Sequence, residues 1–103
     1  MNIHPTWLPF QGPANTPRRD LPDSAFAFPA VRAEPLTDEA HVRSAVARFD
    51  QVGRVTDHER DVAFANIRAA ADYYGVTLRE NDWREIGPQP NGAKRSNIEV
   101  LNE

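Results

Sequence analysis

His4, His41 and His58 carry the imidazoles that a metal site or a general base would need. They lie far apart. No two stand one helical turn from each other, the spacing by which a helix offers two ligands to one zinc ion. Ser24, Ser44 and Ser96 sit in no strand–turn–helix context that would expose and activate a hydroxyl. Gly53, Gly75, Gly87 and Gly92 form no phosphate-cradling loop. Asp57, Glu59 and Asp61 cluster, but at the start of a helix, where capping and the helix dipole account for them. With no cysteine in the chain, thiolate catalysis, disulfides and Cys-based metal sites are excluded. These residues point away from an enzyme. No catalytic residue, metal, cofactor or small-molecule substrate is expected.

What remains is contact chemistry. His41, Arg43 and Arg48 flank the apolar stripe of one helix, His41 and Arg48 on one edge and Arg43 on the other. They could bind a partner. The plainer alternative has His41 bonding the Phe26–Phe28 segment and Arg43 paired with Glu39 one turn earlier, worth roughly 0.2–0.5 kcal/mol. Arg60 falls on the apolar side of a second helix, where a charge must be paired or reach water. Asp50 and the last carbonyls of the first helix are its expected partners. Trp7, Leu8 and Phe10 lie in an arm with proline at 5, 9, 13 and 17 and carry more apolar area than a solvated tail requires.

Two amphipathic helices must position these groups. The first begins at Thr37 or Asp38 and buries Val42, Ala45, Val46 and Phe49, the i, i+3, i+4, i+7 pattern. The stretch "QVGRV" breaks it near Gly53. The second opens with a capping box from Thr56 to Glu59, preceded by Val55 as a staple. It buries Ala63, Phe64, Ile67, Ala70, Ala71 and Tyr74 and stops at Gly75. Phe49 and Ile67 should face each other across the hairpin. A weaker stripe of Val62, Ala69 and Tyr73 needs a cover. The extended Phe26/Phe28 segment is the nearest candidate, since no partner strand is evident for it. After Leu78, a single helical turn capped by Asn81 sets Trp83 beside Ile86 as a lid, and Gly87-Pro88 ends it.

Seven of the nine prolines fall within the first 35 residues of the 103. The foldable part is therefore about 21–87, below the roughly 70–80 residues at which one core is comfortably stable. Residues 36 to 86 carry ten acidic and seven basic side chains. With a pI near 5.6, that argues against phosphate-driven nucleic-acid binding. The exposed face expected for the second helix, His58, Asp61, Ala65, Arg68 and Asp72, has two acids among five and suits no recognition helix. The N-terminus lacks a signal-peptide pattern, and no apolar run approaches a membrane span. A cytoplasmic location follows.

The run "LPDSAFAFP", then "PLTDEAHVRSAVARFDQV", "VTDHERDVAFANIRAAADYYGV" and W-R-E-I-G, resembles an uncharacterised domain family of small bacterial and bacteriophage-associated proteins. The resemblance covers about residues 21 to 87, and D-x-A-H-V-R-x-A-x-A-R-F is its specific part. It implies a phage structural or DNA-packaging setting, with a virion-associated location if phage-derived. It carries no activity.

The expected fold is all-α, or mainly α: a two-helix hairpin plus a short third helical turn, wrapped by an extended Pro-rich segment. Residues 1–20 form the arm, 21–87 the helical domain and 88–103 a flexible tail. The expected function is a non-catalytic protein-interaction or assembly module, of phage or prophage origin. A small helical nucleic-acid-binding or regulatory protein is the alternative. A protein partner or self-association is expected, without membrane or nucleic acid, through Trp7, Leu8, Phe10, His41, Arg43 and Arg48. Three apolar anchors can fix only a few of the twenty arm residues. The arm is therefore expected to be loose until a partner or second copy receives it, and its deletion to leave the melting temperature unchanged.

Overall fold

The computed structural model describes residues 3–86; the tail expected over 88–103 and the Gly87-Pro88 stop lie outside the described residues. Two α-helices form where the apolar periodicity places them. Helix α1 spans Glu39–Arg48 and is capped by Asp38, whose carboxylate accepts the His41 N–H at 2.8 Å. A tight helical turn, Phe49–Gln51, extends it and buries Phe49. Helix α2 spans Asp57–Tyr74 behind the full capping box: Thr56 accepts the Glu59 N–H, and the Glu59 carboxylate accepts the Thr56 N–H. Gly75 ends it at φ 74°, and the Val76 N–H returns to the Ala71 carbonyl.

The fold is mixed α/β, which corrects the all-α expectation. Phe26–Phe28 forms strand β1 and pairs antiparallel with β2, Ala33–Pro35, with Phe26 opposite Pro35 and Phe28 opposite Ala33. The hairpin loop hid this partner because it contains no glycine. A turn closed by the Arg32 N–H on the Pro29 carbonyl puts Arg32 at φ 52°, and Glu34 follows at φ 60°. Sequence patterns expect Gly or Asn at such positions. Here Arg32 is held by its side chain, whose guanidinium donates to the carbonyls of Arg18 and Leu21 and pairs with Asp23. The Arg18 guanidinium donates in return to the Arg32 carbonyl at 2.9 Å. Both guanidiniums lie over the Phe26 ring.

The main core joins Trp7, Phe28, Leu36, Val42, Phe49, Phe64 and Ile67, with small alanines on both helices allowing close approach. Phe49 and Ile67 are both fully buried in it, as the stripes require. Phe26 belongs instead to a smaller cluster with Leu21 and Ala25, against which Phe10 packs. The lid is Trp83, half-buried and stacked on Phe49 at 6.0 Å and 23°. Its indole N–H donates to Asp61 at 2.8 Å. The cap of that last turn is Asp82 rather than Asn81, whose N–H donates instead to Glu85. Arg60 pairs with Asp57 in its own helix and lies 5.5 Å from the Trp83 ring, which replaces the expected Asp50 contact.

In the connection between α1 and α2 the left-handed residue is Arg54, at φ 63°, and not its neighbour Gly53. That conformation costs a residue with a Cβ roughly 1–2 kcal/mol. Glycine would remove this cost but lose roughly 0.5–1 kcal/mol to unfolded-chain entropy. Arg54→Gly is therefore expected to stabilise the domain by up to about 1 kcal/mol, raising Tm by several degrees. A lower Tm for the variant would mean that the Arg54 side chain contributes more than its backbone costs.

Candidate functional site

The arm does not hang free: Trp7 is only 6% exposed and belongs to the main core. Its seat is built around Asn66, which stands in the middle of α2 and is fully buried. The Asn66 side-chain oxygen accepts the backbone N–H of Thr6 at 2.6 Å and of Trp7 at 2.8 Å. Its amide nitrogen donates to the Thr6 hydroxyl at 3.0 Å and to the Ala27 carbonyl at 2.9 Å. One side chain thus ties arm, β1 and α2 together and leaves none of its own polar atoms unpaired, as a buried amide requires.

The Trp7 ring completes the seat. Its indole N–H donates to the Leu36 carbonyl at 3.0 Å, just past β2. Edge-on contacts join it to Tyr73 at 5.8 Å and Tyr74 at 5.9 Å. The next residue, Leu8, gives its N–H to the Ser24 carbonyl. The arm therefore runs as an extended chain held at three successive residues. Burial raises the Tyr74 phenol above its ordinary range, with Tyr73 and Asp38 adding to the effect. The weak stripe of α2 is covered in part. Asn66 lies between Val62 and Tyr73 on that stripe, Trp7 meets Tyr73 edge-on while leaving it largely exposed, and Phe28, Pro29 and Ala30 line a small apolar pocket at Val62.

The remaining contact candidates divide. Leu8 is 64% exposed and Tyr73 57% exposed, so each presents apolar area beside the seat. Phe10 is half-buried and lies over Gly12, where any Cβ would collide with the Phe10 ring. Beyond it a groove of about 270 Å³ runs between the arm and the start of α1, lined by Phe10, Gly12, Arg18, Thr37, Asp38 and His41. His41 is exposed, and its ring nitrogen Nδ1 lies 2.8 Å from Asp38, so the cap of α1 and not the Phe26–Phe28 segment holds it. The His41 N–H and ring hold the Asp38 carboxyl below its usual range. Arg43 is exposed and pairs loosely with Glu39, 3.6 Å away. Arg48 is exposed at the rim of a separate depression that contains Glu34. The six candidates therefore do not make one patch. Trp7, Leu8 and Phe10 follow the arm, His41 shares the groove with Phe10, and Arg43 and Arg48 lie elsewhere on α1.

Glu34 combines a left-handed backbone with a half-buried carboxyl. Burial holds that carboxyl above the ordinary carboxylate range, an effect only partly offset by the charges of Arg48, Arg18 and His41. A raised value means that the protonated form favours folding, and that this contribution is lost as pH rises through the folded value. Glu34→Gln is therefore expected to melt above the parent at pH 7, and the gap to close as pH falls through the carboxylate range and the parent carboxyl becomes protonated. Asp38 acts in the opposite sense. Its contribution is present above the unfolded value and is lost as pH falls through the lower folded one. A gap that stayed constant from pH 7 to pH 3 would show that the Glu34 charge is not the cause.

Asn66 is the residue that sequence reasoning missed. A single asparagine inside an apolar helical stripe is the available signal, because a buried polar group must have partners brought to it. Among the described residues, no helix is long and apolar enough to cross a membrane. The profile of a family of unknown function (DUF6582) matches residues 13–81. No curated protein and no solved structure gives a match.

Proposed function

For a chain that belongs to the family of unknown function DUF6582, we propose a non-catalytic role as a module of protein interaction or assembly. The observation that supports it is the arm. An extended segment is held by its backbone and one aromatic anchor across α2, while Leu8 and Tyr73 beside it stay open to solvent. Backbone hydrogen bonds with a buried tryptophan are a recurring means of protein recognition, and adjoining exposed apolar side chains supply further contact area. The groove at Phe10 and His41 follows the arm further along its course. The phage or prophage setting, with a cytoplasmic or virion-associated location, is part of this proposal and rests on the resemblance of "LPDSAFAFP" and D-x-A-H-V-R-x-A-x-A-R-F.

The test compares the parent with Leu8→Asp as baits in an extract of the native host. A stoichiometric partner held by the parent and lost with Leu8→Asp is the expected result; equal recovery by both would remove the arm from the contact face. Mobility shifts with duplex DNA complete the test, and no sequence-dependent complex is expected, given ten acidic against seven basic side chains over residues 36 to 86. A salt-resistant, sequence-dependent complex at submicromolar protein would replace this reading with a nucleic-acid-binding or regulatory one.

A further inference from the structure

The contacts that seat the arm are all to residues distant in sequence. Thr6 and Trp7 bond Asn66 across 60 and 59 positions, and the Trp7 indole reaches Leu36 across 29. Nothing in those bonds depends on the arm and the seat belonging to the same molecule. The seat offers a side-chain amide that reads two consecutive backbone N–H groups, a carbonyl placed for an indole N–H, and an aromatic wall of Tyr73 and Tyr74. The ligand that occupies it is an extended Thr-Trp segment, and each copy of the chain carries one.

The geometry points to exchange of the arm between two copies, so that residues 3 to 10 of one chain occupy the Asn66 seat of another. This rests on the assembly reading above and gives it a partner, a second copy of this chain. The connecting segment is suited to it. Residues 11 to 17 contain neither helix nor strand, and their internal ties are the Thr16 N–H and hydroxyl on the Pro13 carbonyl. Seven residues extend to about 20 Å, enough to turn the arm outward. Pro13 and Pro17 stiffen the segment and narrow the range of conformations it can adopt. A tethered arm competes with effective concentrations on the order of 1 mM. Exchange therefore belongs to crowded settings, such as an assembling particle, and not to dilute solution.

Paramagnetic broadening tests this on the full chain. The chain has no native cysteine, so His4→Cys can carry a single spin label at an exposed site on the arm. Labelled chains of natural isotopic abundance are mixed with nitrogen-15 chains at up to a few millimolar, where only intermolecular broadening is seen. The expected result is selective loss of amide signals around Asn66, Tyr73, Tyr74 and Leu36. An excess of the peptide IHPTWLPF should abolish that loss, and the same peptide with its tryptophan replaced by alanine should leave it in place. Absence of broadening would overturn the proposal. Broadening on another face, or broadening that the peptide does not relieve, would also overturn it, while leaving the interaction-module reading standing. No variant of the seat is needed, so the result does not depend on whether a damaged core still folds.

Discussion

Trp7→Ala is expected to cost about 3–5 kcal/mol, the range for deleting a large buried aromatic side chain. At roughly 4–8 °C per kcal/mol for a domain of this size, Tm should fall on the order of 20 °C. The substitution removes a core ring, orphans the Leu36 carbonyl and withdraws the wall that Tyr73 and Tyr74 pack against. Calorimetry or a circular-dichroism melt reads the effect directly. An arm that docked only on a partner would leave Tm where it was, and a shift of less than two or three degrees would restore that view. Trp7→Phe separates the two contributions, because it keeps most of the apolar volume and loses only the indole donor. Its loss should be about 1–3 kcal/mol, because the buried Leu36 carbonyl is left without its donor.

Phe49→Ala should be comparably damaging, again about 3–5 kcal/mol. Phe49 is 1% exposed and is the ring that three others share. Phe28 lies 5.1 Å away on β1, Phe64 6.4 Å away on α2, and Trp83 is stacked on it from the closing turn. Its loss opens a cavity at the one point where both helices, the sheet and the lid meet. A domain this small has about 5–15 kcal/mol of total stability, so the variant should be partly unfolded at 37 °C. Near-ultraviolet circular dichroism should show Trp83 released from its stack before the helices melt. A variant that melts with the parent would mean that the end of α1 does not pack against α2.

The helices were legible because their signals are local. Asp38, the Thr56–Glu59 box and Gly75 each act within four residues of the backbone they satisfy, and the stripes through Val42, Phe49, Phe64 and Ile67 repeat at the helical period. The strand pair was not legible, because Arg32 and Glu34 occupy left-handed positions that their residue types disfavour. Only the tertiary network around Arg18, Arg32 and Phe26 explains why Arg32 tolerates this. The arm was half legible. Its apolar content marked it as a docking segment, but the dock is Asn66, and a polar residue in a stripe announces a partner without naming it. Counting three anchors against the ordering of twenty residues also missed a term: Asn66 adds backbone hydrogen bonds that hold the arm without further apolar area.

Pro35 at the outer margin of β2 bears on how copies of the chain can meet. The sheet has two strands, so β2 carries no further strand on its other side among the described residues. An unprotected margin of that kind invites open-ended stacking into fibrils. Here proline removes one of the donors a new strand would need, and the left-handed Glu34 breaks the pleat beside it. Both features oppose growth of the sheet from the β2 margin by addition of identical chains. The arm exchange proposed above fills one seat per arm: it closes when two copies swap arms reciprocally, and lengthens into a chain when each arm passes to a further copy.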